Sequence, residues 1–285
     1  METVSYTDKP SVDAPNPRRP QHVHIGAAWI SLIEPEIGYD HAFNQWYGDD
    51  HFYAGGMTLP GIFAGRRSVA TKALRQLRLP NTTDALTSDG CFLHLNLMNK
   101  EQLNDVSVAL GQTLQTLGKI GRMYPSEIPR KHIYSALTPY EGVVYRDQTE
   151  QGPLDIHALD YPFAGVVLEI IDAREGCSRQ DLLKWLLTQF VPTAIKDTSS
   201  MMCLAFRHED LPNIIRSPRL PLRYEEGPSR VALLWFLESN PLDVWDINFA
   251  HHVRSISDSN LGNVKFLGPF IPTVPGTQMH IDQLR

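Results

Sequence analysis

The chain lacks most of the signatures by which a sequence declares its chemistry. It contains no GxGxxG, no GxxxxGK followed by Ser or Thr, no GxSxG and no HExxH. Dinucleotide and nucleotide chemistry, serine hydrolysis and zinc proteolysis therefore lose their usual sequence support. Cysteine is scarce: Cys91, Cys177 and Cys203 are the only three, far apart and odd in number. No Cys/Cys or Cys/His spacing suggests a metal site, and the pattern reads as buried, reduced thiols of a cytoplasmic protein. Positive charge is not in excess, with 26 Lys and Arg against 32 Asp and Glu. A net charge of −6 argues against nucleic acid as the main partner, because binding phosphates needs a basic face. No apolar run approaches the ~18 residues of a membrane-spanning helix. The first residues, METVSYTDKPSVDAPNPRRPQ, lack the apolar core of a secretory signal, and their prolines and polar side chains predict a disordered or extended arm over 1–20.

What is present is an ordinary globular composition, 42% hydrophobic over 285 residues, enough for one large domain or two small ones. The densest local signal is AFNQWYGDDHFYAGG, residues 42–56. Phe43, Tyr47 and His51 recur at i, i+4 and i+8, which predicts one helix over 39–57 with two rings and an imidazole along one face. Asn44 and Trp46 turn away from Tyr47 on that wheel. Gly55-Gly56 closes the helix, and GIFAGRRSVAT, residues 61–71, follows as a strand.

The remaining periodicities give a repeating order. Strands are expected at 22–32, 62–71, 91–98 and 132–145, with an apolar helical stripe over 99–123. A second set of strands is expected at 165–171, 201–207, 231–237 and 264–269. Its helices begin after Ser178, an N-cap in residue type, and at Pro241. This is βαββαβ twice: an α+β chain of two ferredoxin-like halves forming a dimeric-α+β-barrel-like arrangement within one chain. The expected division is an N-terminal domain over 21–145, a polar linker over 146–162, a C-terminal domain over 163–269 and an extended tail over 270–285, whose Phe270, Ile271 and Val274 are expected to strap a neighbouring surface.

The order Phe43-Asn44-x-Trp46-Tyr47-x-x-x-His51, then Pro60-Gly61, then a strand with Arg66-Arg67, resembles the signature of EthD-type proteins. That family belongs to the dimeric α+β barrel, or ferredoxin-like, superfamily, whose relatives include cofactor-free oxygenases, cyclases and dehydratases. The resemblance covers roughly a tenth of the chain and implies that Tyr47 and His51 lie near a pocket.

From the residues themselves, His51 is the candidate general base, because imidazole titrates near neutral pH, with Asp49 and Asp50 beside it. Tyr47 is the candidate donor to a developing oxyanion. Phe43, Trp46, Asn44 and Trp29 are candidate substrate contacts. Arg66 and Arg67 project to opposite sides of their strand, so one of them is available to a carboxylate or phenolate. The bland readings stand beside these: a histidine capping a helix, a core tyrosine and tryptophan, and exposed arginines in salt bridges. His22 and His24 share a face but have no third metal ligand nearby. His251 and His252 sit in WDINFAHHVRSI and match no haem motif. Three functions stay open. The leading one is a cofactor-independent enzyme (no organic cofactor, no metal) that abstracts a proton from a small aromatic or polyketide-like molecule, as oxygenase, cyclase or dehydratase. The others are a non-catalytic binder of a hydrophobic ligand and a haem-binding protein of the doubled fold. The expected partner is a small hydrophobic molecule, with a homodimer allowed. The expected place for His51 and Tyr47 is a cavity between the two sheets, with Arg66 or Arg67 at its mouth.

Overall fold

The computed structural model describes residues 21–81, 88–122, 128–147, 149, 151–209 and 227–285. The arm expected over 1–20 lies outside the described residues. Eight strands fall within a few residues of where periodicity puts them: β1 (Ile25–Pro35), β2 (Ile62–Val69), β3 (Phe92–Asn99), β4 (Arg130–Tyr145), β5 (Gly165–Ala173), β6 (Ser200–Arg207), β7 (Arg230–Leu237) and β8 (Gly262–Pro272). They close into one antiparallel barrel in the order β1-β3-β2-β8-β5-β7-β6-β4. Two strands make the closure. β4 is long enough to pair with β1 along Arg130–Pro139 and then with β6 along Tyr140–Tyr145. The end of β8 pairs with β2 through Ser68–Pro272 and Val69–Ile271.

Both faces of these strands are buried, so the strands read as near-continuous apolar runs. One face fills the barrel. Ile30, Leu32, Leu93 and Leu95 meet Leu168, Ile170, Leu234, Phe236 and Phe266 in a single core. The other face lies under helices. α1 (Asp40–Trp46), α2 (Lys72–Arg75) and α3 (Leu103–Lys119) belong to the first part of the chain. α4 (Arg179–Trp185), α5 (Val191–Ile195), α6 (Pro241–Asn248) and α7 (His252–Asp258) belong to the second. Ser178 caps α4 as expected, its hydroxyl accepting from the Asp181 amide at 3.0 Å.

Three details depart from the sequence reading. The segment 146–162 is not a bare spacer, since Leu154, Ala158 and Leu159 are buried and Tyr140 donates to Asp155 at 2.6 Å. β8 runs on to Pro272 and takes Phe270 and Ile271 with it, so the tail proper starts later. That tail straps α1 rather than lying extended throughout: Ile281–Gln283 forms a helical turn, and Ile281 and Leu284 are buried beside Phe43 and Phe92.

Candidate functional site

The helix expected over 39–57 is α-helical only to Trp46. It then widens into two π-helical turns, Tyr47–His51 and Tyr53–Met57. The amide of Phe52 donates to the carbonyl of Tyr47, five residues back. The stripe survives, with ring centroids 5.3 Å apart for Phe43–Tyr47 and 5.0 Å for Tyr47–His51. The wider turn also brings Trp46 over His51, stacked at 4.8 Å, where an ideal helix would have turned it away. Trp46 therefore belongs to the cluster. Asn44 does too, by another route: its Oδ1 accepts from Arg67 Nη2 at 2.9 Å.

The floor is the helix-facing side of β4, β1, β3 and β2. Register aligns Ser135, Ser31, His94 and Arg67 in one row across the four strands. Trp29 and Asn96 lie opposite one another in the next row. Ser31 and Ser135 share a hydrogen bond at 2.8 Å, and Trp29 Nε1 donates to Ser135 at 2.9 Å. His94 is only 2% exposed and has the Tyr47 ring 3.8 Å from its own. Among the described residues neither of its nitrogens has a partner, and His51 Nδ1 has none.

This placement corrects the expectation of a cavity between the sheets. Tyr47 and His51 lie outside the barrel, between the π-helical segment and the sheet, because the barrel interior is already filled by apolar side chains from both sides. The two arginines do separate. Arg67 joins the site, with Tyr47 and Phe92 under its guanidinium at 5.4 and 5.8 Å. Arg66 pairs with Leu95 on the opposite face, its guanidinium 5.7 Å from the Phe163 ring, and takes no part. Asp49 and Asp50 do not hydrogen-bond His51; Asp50 pairs with Arg122 and Asp49 is exposed.

Burial sets the protonation states. It holds His51 down at about 4 and His132 at about 3, with the Arg130 charge adding to both. It holds His94 well below its ordinary value, helped by Arg67, His132 and His51. Burial pushes Tyr47 up to about 12 against the pull of Arg67 and Arg130. At neutral pH the site therefore presents neutral imidazoles, a phenol that keeps its proton, and charged guanidinium groups. His94, His132, Arg130, Ser31 and Ser135 were not among the sequence candidates. The strand CFLHLNLM did carry the signal, for His94 and Asn96 fall on one phase of an otherwise apolar alternation.

The histidines outside this cluster separate cleanly. His22 and His24 precede β1, and His24 faces Glu101 at 3.5 Å. Among the described residues no group of three or more His, Cys, Asp or Glu is placed to hold a metal ion. His252 is 0% exposed, with its Nδ1 on Glu169 at 3.2 Å and its Nε2 without a partner among the described residues. The rings of Phe190, Phe249 and Trp235 lie 5.0, 5.1 and 5.2 Å from it. A macrocycle would have to displace these rings, so the residues here do not fit haem.

No family model and no curated protein matches the chain. Solved structures do. An anthrone oxidase-like protein is 7% identical, covers 93% of this chain and 98% of its own, and superposes with a TM-score of 0.52. A chlorite dismutase-like protein is 9% identical, covering 88% and 95%, with a TM-score of 0.50. A monooxygenase-like protein from Fusobacterium nucleatum is 9% identical, covering 88% and 94%, at 0.47. The likeness is one of fold. The anthrone oxidase-like and chlorite dismutase-like proteins share this fold. No helix among the described residues is long and apolar enough to cross a membrane.

Proposed function

We propose that this chain is an EthD-like enzyme that removes a proton from a small aromatic or polyketide-like molecule held between the π-helical segment and the sheet, without an organic cofactor. The observation that carries the reading is the bare Nδ1 of His51, buried beside Tyr47, His94 and Arg67. Buried polar atoms normally find partners, and several bare imidazole nitrogens in one place suit a bound molecule that supplies them. His51 takes the proton of an acidic C–H or phenol. The electron pair stays on the substrate as an enolate or phenolate, whose charge Tyr47 and Arg67 stabilise. The resulting anion then reacts with dioxygen, cyclises or loses water. Phe43, Trp46, Asn44 and Trp29 shape and orient the site.

The same reading treats the barrel as two ferredoxin-like halves, 21–145 and 163–269, joined through 146–162. The strand orders β4-β1-β3-β2 and β8-β5-β7-β6 support it, since each is the same order in its own half. Anthrone is a suitable probe, because its methylene protons are acidic. Under nitrogen in D2O, the protein should speed loss of the methylene signal in proton NMR above the buffer rate. A rate equal to buffer at saturating probe counts against proton abstraction.

A further inference from the structure

Three arginines are buried among the described residues. Arg230 donates to Asp172 at 2.7 Å, and Arg78 donates to the carbonyls of Asp89 and Gly90, each at 2.7 Å. Arg67 is held otherwise. It is 8% exposed, its Nη2 rests on the neutral Asn44, its Nε has no partner, and among the described residues no carboxylate stands within ion-pair distance. Burying a guanidinium without a counter-charge is costly. Directly across the register from it, His94 offers two unpartnered nitrogens at 2% exposure. The charged and titratable groups facing this pair are Tyr47, Asp49, His51 and Tyr53 from the helical segment and Arg130 and His132 from β4. The set leans to positive charge, and Asp49 acts on Arg67 only through space.

We propose that Arg67 and His94 form the seat for an anion carried by a planar aromatic ligand, a phenolate, enolate or aromatic carboxylate, which supplies the missing counter-charge. The proposal rests on the site assigned above and narrows its ligand. Burial is the main reason the imidazoles are neutral, and an anion there offsets the second, the repulsion from neighbouring positive charge, so that binding draws a proton from solvent.

Calorimetric titration at pH 7 with 1-naphthoate and with the neutral 1-naphthalenemethanol tests this, in two buffers of different ionisation enthalpy. The expected result is at least tenfold tighter binding of naphthoate, with a buffer-dependent enthalpy that reports proton uptake. Arg67→Met should erase the preference, while Arg67→Lys, which keeps the charge, should retain most of it. Circular dichroism on both variants shows whether the fold is intact. Equal affinity for the two compounds in the wild type overturns the anion seat and leaves the aromatic site standing. A preference that survives Arg67→Met in a folded protein also overturns it. Failure of both compounds to bind removes the aromatic site itself, and the proposal with it.

Discussion

Arg67 and Asn44 form the hinge between the site and the C-terminal strap. Arg67 Nη2 donates to Asn44 Oδ1 at 2.9 Å, and the Asn44 amide nitrogen donates to the Thr277 carbonyl and to Gln278 Oε1, each at 2.9 Å. One side chain thus sets both the guanidinium and the tail. Asn44→Leu should strand a buried charge and an acceptor together, lowering stability by about 1–3 kcal/mol. Urea unfolding reads this directly, and an unchanged midpoint would show that the contacts carry no net energy.

Gly48 is a second point of control. A Cβ at this position would stand 2.3 Å from Arg67 Nη1, so only glycine lets the guanidinium lie against the π-helical turn. Gly48→Ala is expected to push Arg67 out of its seat. Anthrone proton loss should fall at least tenfold with far-UV circular dichroism unchanged. Full activity in that variant would show that the position of Arg67 is immaterial.

The depressed histidines predict a pH profile of stability. His51 and His132 hold values of about 4 and about 3 when folded, against an ordinary 6.5. Below 6.5 the unfolded chain takes up protons that the folded chain refuses. The histidine contribution is therefore complete above pH 6.5 and is lost as pH falls, toward about 4 for His51 and about 3 for His132. The urea midpoint should drop between pH 6.5 and 4.5, and the slope should be shallower in a His51→Gln/His132→Gln double variant. Parallel slopes would contradict the assigned burial.

In the second part of the chain Glu169 holds two partners at once, accepting from Trp235 Nε1 at 3.0 Å and bonding His252 Nδ1 at 3.2 Å, all three side chains being buried. Glu169→Ala leaves both without an acceptor and opens a cavity. A loss of about 3 kcal/mol or more is expected, with a shift in tryptophan emission, since removing one member of a buried polar pair exposes the other's desolvation cost. A change under about 1 kcal/mol would mean that the pair is not held in the folded state.

Much of this was readable in the sequence. Short apolar runs between turn residues marked the strands, and the Phe43–Tyr47–His51 stripe marked the face that meets the sheet. Trp46 was misplaced because periodicity assumes 3.6 residues per turn, whereas the π turn aligns residues five apart. The site was assigned to the wrong side of the sheet because both faces of strands such as CFLHLNLM are apolar, and a strand buried on both sides does not say which side faces the helix. His132 was invisible because its place depends on the β1–β4 register, where a bulge lies between Leu32 and Ile33.

Whether His51 is a base or a packed side chain is decided by proton loss from anthrone in the His51→Ala variant. A positioned general base contributes about 10²–10⁴ in rate. For a base, the rate should fall at least a hundredfold toward that of buffer, with a melting temperature close to that of the wild type. Proton loss within twofold of the wild-type rate in the folded variant would contradict it.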